Sequence, residues 1–128
     1  MYQINKNKEF IMEYLNALSG VTKTPESLNR FVADNDLRDH IIFFDAVLPK
    51  YEFIADELIA EGDKVVVKAH IKGRHEGEFK GIPPTHKQVK FGAVVCYTVQ
   101  DNKIVDHWMI ADLATMMEQL GVSDFQTA

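Results

Sequence analysis

The sequence predicts an α+β domain: helices first, then a meander of long antiparallel strands, then a short closing helix. Three observations carry this. Apolar residues recur at helical spacing as far as Leu48, the period changes to two from Tyr51, and the alternating runs are joined by tight polar turns. Strands that follow one another through such turns build an antiparallel sheet, and helices that precede them pack on one side of it. Long strands curve around helices laid across them. A curved sheet roofed by helices encloses a cone, whose floor can hold a small molecule.

Each element has its own signal. Phe10, Ile11, Tyr14, Leu15 and Leu18 share one helical face, and Gly20 supplies the stop. Thr24-Pro25 starts a second, short helix with a capping hydroxyl and a proline at the first helical position. Leu28, Phe31 and Val32 give that helix its apolar side. Leu37, Ile41, Phe44 and Leu48 mark a third helix, ended by Pro49. Tyr51 to Ala60 has strand character and turns at Glu61-Gly62-Asp63. In Lys64 to Lys72, Val65, Val67, Ala69 and Ile71 form one face, with Lys68, His70 and Lys72 on the solvated other. A loop with three glycines and two prolines, Gly73 to Lys87, leads to a long strand in which Val89, Phe91, Ala93, Val95, Tyr97 and Val99 alternate. Asp101-Asn102-Lys103 reverses the chain into Ile104 to Ala111, and Leu113 to Leu120 forms an amphipathic last helix that Gly121 ends.

Composition narrows the function classes. The 128 residues suit a single domain, 1–128, with 46% hydrophobic and 26% charged residues. A net charge of −5 with scattered lysines and arginines argues against nucleic acid as a partner. No apolar run approaches the roughly 20 residues that span a bilayer, and the start MYQINKNKEF lacks the apolar core of a secretory signal. The expected compartment is the cytoplasm. Cys96, the one cysteine, has no partner for an internal disulfide and reads as a small buried hydrophobe.

The candidate chemistry gathers where the last strand meets the last helix. Asp112 stands at that junction. One reading desolvates its carboxyl beside Trp108 and Ile110, raises its pKa and makes it a general acid/base. The other makes it the N-cap of Leu113 to Leu120, which favours the charged form. Without a bulge, Ile104, Asp106, Trp108, Ile110 and Asp112 share one strand face, so Trp108 and Ile110 are expected to line the pocket. Phe91, on the neighbouring long strand, is expected to line it too. His107 has the opposite parity and is expected at an interface or behind the site. His40, one helical turn after Asp36, is a candidate to point into the cone, and His75, in the Gly-rich loop, a candidate at its mouth, where the bland reading is a solvated loop histidine. No HxH, HxxxH or Cys/His cluster supports a metal, and no nucleophile elbow or phosphate-binding loop is present.

With these residues in place, the chain resembles the SnoaL-like polyketide cyclases (ester cyclases) of the NTF2-like superfamily. The resemblance is carried by Leu58-Ile59-Ala60-Glu61-Gly62-Asp63-Lys64-Val65, by Gly73-Arg74-His75-Glu76-Gly77-Glu78-Phe79-Lys80-Gly81-Ile82-Pro83-Pro84-Thr85, and by Asp101-Asn102-Lys103-Ile104-Val105-Asp106-His107-Trp108 with Asp112 and Gln119-Leu120-Gly121. It implies a cone-shaped α+β barrel that needs no metal or cofactor and pairs as a homodimer, here through sheet faces. It also implies a small-molecule substrate and an acid/base aspartate at the position of Asp112, serving aldol cyclisation, isomerisation or dehydration. The alternative within the same fold is a ligand-binding or dimerisation module without chemistry.

Overall fold

The computed structural model describes residues 2–121. Helix α1 (Tyr2–Leu18) starts earlier than its apolar repeat and buries Ile11, Tyr14, Leu15 and Leu18. Helix α2 (Pro25–Asn29) opens on the expected cap: the Thr24 hydroxyl accepts from Ser27 N at 3.1 Å, and Ser27 Oγ returns a bond from Thr24 N at 3.0 Å. Helix α3 (Asn35–Val47) is capped by Asp34, whose Oδ1 accepts from Asp36 N and Leu37 N. Strands β1 (Glu52–Glu61), β2 (Lys64–Arg74), β3 (Gln88–Gln100) and β4 (Lys103–Ala111) follow, and α4 (Leu113–Gln119) closes the order.

The strands form one antiparallel sheet in the order β1-β2-β3-β4. The α+β, NTF2-like arrangement of helices packed on a curved sheet is therefore as expected. The closed barrel is not: among the described residues β1 and β4 are the outer strands of an open sheet, and Val32 extends the β4 edge through one parallel bridge to Ile104. Each edge strand carries an irregularity in its pairing. In β1 the register shifts between Ala55 and Glu57, which leaves Asp56 unpaired. Where β4 pairs β3, Thr98 faces Asp106 but Val99 faces Ile104, so Val105 is an extra residue. Such a bulge reverses the side-chain alternation beyond it.

The inner face buries Val65, Val67, Ala69, Val95, Tyr97, Val99 and Ile104 against α1, α2 and α3. A second cluster joins the end of α3, the far end of the sheet, α4 and the Gly-rich loop through Phe44, Val47, Phe79, Phe91 and Met116. That loop is fastened by its backbone. Glu76 N and Gly77 N both donate to Val47 O, and His75 N donates to Lys87 O. Gly77 is required there, because a Cβ would collide with the Ala46 carbonyl.

Candidate functional site

A cavity lies between α1, α3 and the inner face of the sheet. Its walls are largely apolar, with Leu15, Leu18, Leu37, Ile41, Val95 and Met109 among them. Its volume is ≈ 50 Å³. Such a space suits a compact ligand better than a fused-ring one.

Few polar groups reach this cavity. His107 comes from β4, and its Nδ1 lies 2.8 Å from Asp34 Oδ2. Asp34 Oδ1 meanwhile caps α3. A carboxylate accepts, so Nδ1 is the donor of this bond, and Nε2 is the ring nitrogen that Asp34 leaves free. His40, on α3, stacks on Phe44 with ring centroids 5.1 Å apart. Desolvation first, and then the nearby His107, lowers its pKa, which favours the neutral ring. Tyr14, Tyr51 and Tyr97 also line the cavity, and burial pushes the pKa of each upward, keeping all three hydroxyls protonated.

Lys23 is the unusual cation, only 5% exposed. Its Nζ donates to Tyr51 O at 2.6 Å, sits 3.8 Å from the Tyr51 ring centroid and lies 3.7 Å from Asp45 Oδ1. Burial lowers its pKa to about 8, and Asp45 opposes that shift without overcoming it. Among the described residues no group of three His, Cys, Asp or Glu is placed to hold a metal ion.

The polyketide-cyclase family described as SnoaL-like matches residues 8–120, nearly the whole chain. The chain belongs to that family. Solved structures agree on the fold. AclR from Streptomyces galilaeus superposes with a TM-score of 0.79 at 20% identity, covering 92% of this chain and 82% of AclR. TsrD from Streptomyces laurentii gives 0.74 at 23%, covering 89% and 93%. A SnoaL-like polyketide cyclase from Agrobacterium tumefaciens gives 0.74 at 21%, covering 90% and 98%. No curated protein matches the chain. At these identities the structures establish the NTF2-like fold of this SnoaL-like chain, and its residues must be read individually.

Of the six residues singled out from the sequence, His40 alone lines the cavity. Trp108 and Ile110 face outward, 52% and 69% exposed, because the extra residue Val105 reverses their parity. The same reversal brings His107, Met109 and Ala111 inside. Phe91 is buried in the second cluster, away from the cavity. His75 is neither solvated nor at the cavity: it is fully buried, and its Nδ1 accepts from Thr85 N at 3.1 Å. Asp112 is exposed and caps α4, its carboxylate accepting from Thr115 N at 3.1 Å and Thr115 Oγ1 at 2.6 Å. The Thr115 hydroxyl and then its N–H hold the Asp112 pKa below the usual carboxylate range, opposite to the shift a proton donor near neutral pH requires. His107, Asp34, Tyr14, Tyr97 and Lys23 are the groups that sequence reasoning missed. A capping pattern ahead of Asn35-Asp36-Leu37 was available for Asp34; nothing local marks Lys23.

Lys23 gives a pH signature. Its unfolded pKa of 10.5 falls to about 8 in the fold. Between those values the unfolded chain holds a proton the folded chain has lost, so stability rises with pH. Denaturant unfolding of the native protein should gain on the order of 1–3 kcal/mol from pH ~8 to ~9.5 relative to Lys23→Met, which lacks the group. Identical pH slopes in the two proteins would show that Lys23 is not desolvated.

Proposed function

We propose that this SnoaL-like chain is a small enzyme, independent of any cofactor, that binds a compact carbonyl compound in the cavity and moves a proton at the carbon next to its carbonyl. His107 is the general base. The observation that carries this reading is the bond from His107 to Asp34 beside an apolar cavity. The carboxylate fixes the tautomer, leaves Nε2 to accept a proton, and stabilises the imidazolium that results. The proton then returns to the product from the same nitrogen. Cyclisation, isomerisation and dehydration share this first step, and family membership favours a cyclase-type outcome. Asp112, at the family's aspartate position, serves in this reading as the cap of α4.

The step can be followed without the natural substrate. Cyclopentanone in D₂O exchanges its α-protons, and proton NMR reports the rate. The native protein should accelerate exchange, His107→Gln should lose about 10²–10⁴ of that acceleration, and Asp112→Asn should keep it while melting a few degrees lower. Loss in Asp112→Asn with retention in His107→Gln would restore the aspartate as the acid/base group. Binding of the ketone without exchange in the native protein would instead identify a ligand-binding module.

The outer sheet face supports a second proposal, that two copies pair through it. Trp108, Ile110 and Ile59 are 52%, 69% and 58% exposed. They continue across the strands through Cys96, Val66 and Val94, since Cys96 pairs both Trp108 and Val66, and Val94 pairs Ile110. An apolar band of this kind marks an interaction surface. Light scattering should give twice the chain mass for the native protein and one chain mass for Trp108→Glu. One chain mass for the native protein at micromolar concentration would refute the pairing.

A further inference from the structure

With His107 as the base, the ligand's oxygen still needs a partner. The structure offers one on the adjacent strand. Tyr97 and His107 are directly paired residues across β3 and β4, and both line the cavity. Side chains paired this way on one sheet face stand about 4.5–5.5 Å apart at Cβ. Tyr14 meets Tyr97 edge-on, with ring centroids 5.5 Å apart. Tyr51 couples electrostatically to both.

The hydroxyl count is what points to a ligand. Tyr14, Tyr51 and Tyr97 are 4%, 8% and 2% exposed. None of the three hydroxyls is hydrogen-bonded to any other described side chain or to the backbone. Among the described residues the three O–H donors have at most the contact between Tyr14 and Tyr97 to share, and all three side chains line the cavity. Edge-on ring packing alone would be served as well by phenylalanine. The ammonium of Lys23, over the Tyr51 ring, adds positive potential to the same end of the cavity.

We propose that Tyr97, backed by Tyr14 and Tyr51, holds the carbonyl oxygen of the ligand and stabilises the enolate that forms when His107 removes the adjacent proton. This rests on the proton-transfer reading above. The C–H bond breaks and its electron pair becomes the new C=C bond. The C=O π pair moves onto oxygen, and the proton resides on His107 Nε2. The oxyanion accepts from the Tyr97 hydroxyl, which stays protonated. The substrate class narrows to compact enolisable ketones and aldehydes, because a carbonyl carbon without an adjacent hydrogen gains nothing from paired Tyr97 and His107.

Tyr97→Phe keeps the ring packing and removes the donor. It should lower cyclopentanone exchange by about 10²–10³ with little change in melting temperature. The hydrogen bond itself can be read separately from the proton transfer, by the C=O stretch of bound cyclopentanone in the His107→Gln protein. That band should lie below its frequency in hydrocarbon solvent and move up when Tyr97→Phe is added. Equal band positions in the two proteins would overturn the oxygen seat and leave the His107 assignment intact. Failure of the ketone to bind the His107→Gln protein would overturn the seat together with the carbonyl reading.

Discussion

Asp34 does two jobs with one carboxylate, and the site depends on their being done together. One oxygen closes the first turn of α3 through Asp36 N and Leu37 N, and the other holds Nδ1 of His107. The helix that roofs the cavity and the strand that floors it are thus joined at a single side chain. Both partners are largely withdrawn from water, with side-chain exposures of 11% for Asp34 and 15% for His107. A charge-assisted bond in such surroundings is stronger and less screened than one on the surface. It fixes which imidazole nitrogen can take a proton, which sequence spacing cannot.

The fold was legible in the sequence because it follows from periodicity. The change from helical spacing to alternation at Tyr51, the Thr24-Pro25 start, the Asp101-Asn102-Lys103 reversal and the Gly121 stop each correspond to an observed feature. The candidate site was not legible in the same way. A single extra residue at Val105 changes which half of β4 faces inward. Read as an unbroken strand, β4 offers Trp108 and Ile110 to the cavity and turns His107 away; with the bulge, the assignment is reversed. Neither glycine nor proline marks the position, so no local signal announced it. Ile104 remains buried on the near side of the bulge, which kept the apolar pattern plausible in both registers.

The same shift separates the two surfaces of the sheet by chemistry. The inner face carries phenols and an imidazole set among aliphatic side chains, and the outer face carries Trp108, Ile110 and Ile59. Asp112 lies just past the end of β4, where helix geometry decides its role. A residue preceding an amphipathic run finds free N–H groups within reach, and here Thr115 supplies both a backbone and a side-chain donor. The cap reading, weighed from local sequence, describes this geometry; the position inherited from the family does not by itself specify where the carboxylate points.

The central claim is that His107 faces the cavity with its Nδ1 proton held by Asp34. Long-range ¹H–¹⁵N correlation of the histidine rings tests it directly, because the two ring nitrogens report protonation separately. In alkaline solution Nδ1 of His107 should be protonated and Nε2 unprotonated, with the pattern lost in Asp34→Ala. A protonated Nε2, or a ring that averages between tautomers in the native protein, would contradict it.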